Sequence, residues 1–219
     1  MHRIKIFFSA ALHLSHVYFQ LIRGIWKIAG VPRPMVTVFG GSRVVQTDPY
    51  ARQANQFAQM LVNANISVIT GGGPGIMEAA NCALPPLNGE AKSIGIGVRG
   101  LGEGPNKCVK EYFVLDYFFA RKWLMTNYSQ GFAVFPGGFG TLDELSEVLT
   151  LIQTKKLGRV PIVLIGSEYW KLLMQWLHTE ALKHKLILKE ELELFIVTDD
   201  LQEALNILQG KVGQVQEKP

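Results

Sequence analysis

The sequence predicts an α/β domain, a doubly wound parallel sheet of about seven strands with an extra N-terminal amphipathic helix. Three observations carry that expectation. From Val36 onward, short runs rich in β-branched residues alternate with segments of helical periodicity. The runs are almost continuously apolar, as for strands buried on both faces. Two of them pass straight into glycine-rich turns that open helices, the usual place for ligands in such sheets.

The elements follow in order. Lys5, Ser9, His13, His16, Gln20, Arg23 and Lys27 recur at spacings of four and three, one polar stripe on an otherwise apolar helix. A spanning segment needs ~20 apolar residues without such a stripe, which argues against a transmembrane role. No small-residue cleavage site precedes the first strand, which argues against a signal peptide. The helix is expected to pack on the domain or in a subunit interface; contact of residues 4–29 with a membrane surface is the less favoured reading. Next come strand Val36 to Phe39, helix Asp48 to Asn63 and strand Ile66 to Thr70. Helix Pro74 to Ala83 has Pro74 at its first position, where a missing N–H costs nothing. Strands Ser93 to Val98 and Tyr112 to Leu115 flank a glycine-rich loop from Arg99 to Lys107. Helix Phe118 to Tyr128, strand Gly131 to Phe135, a helix from Leu142 to about Lys155 and strand Val160 to Ile165 follow. Helix Glu168 to His184, a short strand Leu194 to Val197 and helix Leu201 to Leu208 close the pattern. The expected division is 1–34 for helix and linker, 35–209 for the α/β domain and 210–219 for a polar tail.

Composition narrows the function. Apolar residues make up 48 % and charged residues 18 % of 219 residues, which excludes a disordered chain. The net charge of +4 is mild and no basic run interleaves with aromatics, so nucleic-acid binding is not expected. His2, His13, His16, His178 and His184 are scattered, and Cys82 and Cys108 lack metal-like spacing, so neither a metal nor an organic cofactor is expected. The two cysteines read as free thiols in a reducing, cytoplasmic setting.

The chemistry lies in the turns. Pro136-Gly137-Gly138-Phe139-Gly140-Thr141-Leu142-Asp143-Glu144 joins a buried strand to a helix, and Gly71-Gly72-Gly73-Pro74-Gly75-Ile76-Met77-Glu78 does so earlier in the chain. Such turns leave backbone N–H groups open and admit an anion closely. No G-x-x-x-x-G-K-[S/T] occurs, and Glu78 stands where a dinucleotide fingerprint needs its third glycine, which argues against a nicotinamide dehydrogenase. Local readings compete with the functional ones. Thr141 and Glu144 have the spacing of a capping box, Glu78 could complement a helix dipole, and Arg121 with Lys122 could be surface cations.

These blocks, with Arg121-Lys122 between them and Phe39-Gly40-Gly41-Ser42-Arg43 at the first strand end, resemble the Lonely Guy (LOG) family from about Met35 to Leu208. That family consists of phosphoribohydrolases that release a nucleobase from a nucleoside 5′-monophosphate, and many members carry a lysine decarboxylase label. The resemblance implies a Rossmann-like fold, a purine nucleoside 5′-monophosphate as ligand and a homodimer or higher oligomer. It implies Arg121 and Glu144 as the catalytic pair, with Ser42 and Thr141 as hydroxyl donors to phosphate. Gly41, Gly71, Gly72, Gly73, Gly75, Met77, Pro136, Gly137, Gly138 and Gly140 would shape the phosphate turns. Arg43, Glu78 and Lys122 would lie near ribose or base. Arg121 would either hold Glu144 ionised, since a nearby cation lowers a carboxyl pKa, or equally hold a ribose hydroxyl or phosphate oxygen. The rival expectation is a non-catalytic nucleotide or molybdenum cofactor carrier of the same fold.

Overall fold

The computed structural model of the chain describes residues 2–101 and 104–212. Seven parallel strands form one sheet: β1 (Met35–Phe39), β2 (Ser67–Thr70), β3 (Ser93–Val98), β4 (Glu111–Leu115), β5 (Gly131–Val134), β6 (Ile162–Ile165) and β7 (Ile196–Thr198). Their spatial order is β4-β3-β2-β1-β5-β6-β7. The chain builds outward from β1 to β4, returns to the other side of β1, and builds outward again to β7. The order reverses between β1 and β5, so a crevice opens at their carboxyl ends.

Helices cover both faces because successive strand residues point to opposite sides. Phe39 and Phe132 face one core with Leu124, Leu145 and Trp170, from α4 (Phe118–Tyr128), α5 (Phe139–Gln153) and α6 (Ser167–Trp176). Val38 and Ala133 face the other with Phe57, Ile76 and Leu208, from α2 (Pro49–Asn63), α3 (Ile76–Asn81) and α7 (Leu201–Val212). Asp48 caps α2 by accepting from the Tyr50 N–H at 2.8 Å.

Several expectations need correction. Pro74 lies outside α3, which starts at Ile76 behind Gly75 with φ +70°, a conformation glycine adopts freely. The late helix does not run to His184 as one α-helix; α6 ends at Trp176 and a π-helical turn covers Leu177–Leu182. A turn of 3₁₀ helix over Lys189–Leu194 has no counterpart in the expected pattern. Helix α7 continues into the expected polar tail as far as Val212, and residues 213–219 lie outside the described ones. Cys82 and Cys108 are not free thiols but a disulfide, with Cα atoms 4.8 Å apart. The fold brings them together because the loop before β4 crosses the end of α3.

Helix α1 (His2–Ala29) docks beside α4 through Val17, Gly24 and Ile28, with His16 and Gln20 of its polar stripe at the edge of the contact. His16 and Gln20 reach Asp116 Oδ2 at 2.7 and 2.6 Å, and the Asp116 N–H donates to Gln20 Oε1 at 2.9 Å. Gly24 allows the close approach, since a Cβ there would sit 2.5 Å from Leu124 Cδ1. Ile28 completes the contact, fully buried.

Candidate active site

Three strand-to-helix turns meet at the carboxyl ends of β2, β1 and β5, and backbone hydrogen bonds join them. The Gly41 N–H donates to Pro136 O at 3.0 Å, and the Ile76 N–H donates to Gly41 O at 3.1 Å. A Cβ on Gly137 would lie 2.8 Å from Gly41 N and would collide with Thr141. One on Gly75 would collide with the Gly41 carbonyl. The glycines are there because the turns touch.

The second turn is held from beneath. Thr70 Oγ1 accepts from the Gly72 N–H at 2.9 Å and donates to Asn81 Oδ1 at 2.7 Å. Asn106, buried, places its amide nitrogen 3.0 Å from Gly72 O, 2.9 Å from Gly73 O and 2.9 Å from Asn81 Oδ1. Its own carbonyl accepts from the N–H groups of Cys108 and Val109. Sequence reading missed Asn106, Asn81 and Thr70. The only available signal was an asparagine able to make a local Asx turn, and its reach across to Gly72 is a tertiary matter.

The third turn runs into α5, whose N-cap is Gly138 and which no side chain caps. Thr141 is therefore a buried residue inside the helix, and the expected capping box does not exist. Gly138, Phe139 and Gly140 are exposed, so the unpaired N–H groups of the first turn face outward, where an anion is favoured. Tyr169 from α6 donates its hydroxyl to Gly137 O and steadies this turn.

Glu144 and Arg121 meet here. Arg121 Nη2 lies 2.5 Å from Glu144 Oε1, and the two side chains are only 11 % and 10 % exposed. The guanidinium also lies against the second turn, since a Cβ on Gly71 would come within 3.3 Å of Arg121 Nη1 and 2.7 Å of Met77 Sδ. Arg121 Nε is buried with no hydrogen-bond partner among the described residues. Burial pushes the Glu144 carboxyl above the ordinary glutamate range, and the Arg121 charge only partly offsets this. Of the two roles expected of Arg121, holding Glu144 ionised is corrected: in so dry a place desolvation outweighs the guanidinium.

The other candidates spread around this centre. Lys122 pairs with Asp143 at 3.0 Å and Glu147 at 2.5 Å, bracing α4 against α5. Arg43 is exposed beyond the first turn, while Ser42, Met77 and Glu78 are half-buried at its rim. Among the described residues no cluster of His, Cys, Asp and Glu could hold a metal ion.

Residues 77–208, more than half of the chain, match the profile of a family described as possible lysine decarboxylase. The chain belongs to this family. It is the LOG family of the sequence resemblance, and relatives named for nucleotide chemistry accompany the match. A pyrimidine/purine nucleotide 5′-monophosphate nucleosidase of Escherichia coli K12 is 24 % identical, across 94 % of this chain and 47 % of its own. A cytokinin riboside 5′-monophosphate phosphoribohydrolase of Arabidopsis thaliana is 34 % identical, across 54 % of this chain and 56 % of its own. The chain thus spans about half the length of the curated relatives it matches. Among solved structures, a molybdenum cofactor binding protein from Rippkaea orientalis superposes with a TM-score of 0.60 at 21 % identity, over 82 % of this chain and 97 % of its own. The molybdenum cofactor carrier protein of Chlamydomonas reinhardtii gives 0.56 at 18 %, over 84 % and 100 %. These two neighbours share the LOG-family fold.

Proposed function

We propose that this LOG-family chain is a nucleoside 5′-monophosphate phosphoribohydrolase, cleaving the N-glycosidic bond of AMP or an N6-modified AMP. The observation that carries the reading is the buried Arg121–Glu144 pair, set against the Gly71 turn at the switch point of the sheet. In the proposed reaction the 5′-phosphate lies on the open N–H groups of the glycine-rich turns, with Ser42 and Thr141 as hydroxyl donors. Cleavage of the C1′–N bond builds positive charge on the ribose ring. A carboxylate beside that carbon stabilises the charge and takes a proton from the attacking water. The bond electrons leave with the base, which takes up the proton that the carboxylate removed from water, and ribose 5-phosphate remains. Arg121 holds the carboxylate in place, and its unpartnered Nε is free to donate to a substrate oxygen. The phosphate grip supplies the positioning. A homo-oligomer located in the cytoplasm completes the proposal.

The test is incubation of the full chain with AMP, GMP, CMP, UMP and an N6-modified AMP, followed by chromatography. Release of base from a monophosphate but not from its nucleoside is expected. Tight binding without release would favour the second reading, a carrier, for which the two structural neighbours speak.

A further inference from the structure

Helix α1 turns its apolar side to solvent. Ile4, Phe8, Leu12, Phe19, Ile22 and Trp26 are all exposed, Trp26 at 82 %. At helical spacing they share one side, turned away from the buried Val17, Gly24 and Ile28. The helix meets the domain mainly through Gln20, Gly24 and Ile28, and residues 2–16 are exposed throughout. An outward apolar side on a helix of 28 residues is far more than scattered surface hydrophobics explain.

The charges indicate what covers it. The helix carries Arg3, Lys5, Arg23 and Lys27, and the first acidic residue of the chain is Asp48. Lys5 and Arg23 lie five turns apart on the same flank of the apolar stripe, both exposed. A second copy of α1 laid on this side would bring only cations against cations. An anionic bilayer instead meets the cations with headgroup charge and the aromatic and aliphatic side chains with acyl chains. No helix among the described residues is long and apolar enough to cross a membrane, so the helix would lie in the surface.

We propose that α1 is an interfacial anchor that binds this protein to anionic lipid surfaces. Val17, Gly24, Ile28 and the Gln20–Asp116 hydrogen bond tie it to the domain while its outward side enters the headgroup boundary. The inference is independent of the proposed reaction, because α1 contributes no residue to the site.

The test is flotation of the full chain with vesicles of phosphatidylcholine alone and with added phosphatidylglycerol. Flotation with the anionic vesicles is expected, weaker at high salt. Phe8→Glu/Trp26→Glu alters two solvent-facing positions and should lower lipid binding at least tenfold, with the thermal transition unchanged. Lys5→Glu/Arg23→Glu should remove the preference for anionic lipid. Absence of flotation, aggregated protein at the bottom of the gradient included, overturns the proposal. Equal flotation of the wild type and the Phe8/Trp26 variant overturns it too. Self-association abolished by that variant, without lipid binding, would assign the face to a second copy.

Discussion

Glu144 bears the clearest consequences at the residue scale. Its carboxylate lies inside α5 against Arg121, and no local capping role competes for it. Glu144→Gln should keep the fold and lower kcat/KM by ~10²–10⁴-fold, measured by release of base. Because burial raises the carboxyl pKa, the ionised form is lost as pH falls through a value above the ordinary glutamate range. The acid limb of kcat/KM should therefore lie above that range and vanish in Glu144→Gln. The linkage has the matching sign. A raised folded pKa adds stability at low pH and loses it as pH rises through that pKa. The Gln variant should thus melt no lower than wild type at neutral pH, and wild type should gain on it as the solution is acidified. Asn106→Ala strands the carbonyl of Gly73 and leaves that of Gly72 with only the residue-106 backbone N–H. A loss of about 3 kcal/mol in denaturant unfolding is expected, with a higher KM for nucleotide.

At the scale of the element, one acidic side chain supplies the polar tie between α1 and the domain. Asp116 takes hydrogen bonds from Arg99, His16 and Gln20, and the first of these above all brings its pKa down to about 2. A lowered carboxyl pKa contributes above the ordinary aspartate value and is lost as pH falls toward the folded one. Hydrogen exchange of α1 amides should stay slow until pH falls below the ordinary aspartate range. In Asp116→Asn they should exchange faster at neutral pH. The hydrophobic pattern of α1 was legible, but which side would face the domain was not. The helix is apolar on two sides: Val17, Leu21, Gly24 and Ile28 pack on the domain, Asp116 captures His16 and Gln20 beside them, and the other apolar side stays outside. The boundaries of α3 and α5 were displaced for a related reason. Pro74 and Thr141 looked like local start signals, whereas the contacts between turns decide where each helix begins.

For the molecule as a whole, the disulfide links α3 to the loop carrying Asn106, beneath the second turn. Closing a loop of 26 residues contributes on the order of 3 kcal/mol in the chain-entropy account. Reduction, or Cys82→Ser, should lower the melting temperature by roughly 10 °C, read by calorimetry with and without reductant. Sequence spacing offered no sign of this pair, since the partners meet only once β3 and β4 are laid side by side.

The order of strands and helices from β1 to α7, and the turn residues of the candidate site, were determined by the sequence itself. Periodicity, β-branched runs and glycine at strand ends act locally, so they can be read without the fold. What only the tertiary structure decided is which distant groups share one dry place. Arg121 and Glu144 sit on separate helices, and their short contact follows from packing α4 and α5 on one face of the sheet. The raised pKa of Glu144 belongs to that burial, because desolvation depends on everything that surrounds a charge and not on its neighbours in sequence.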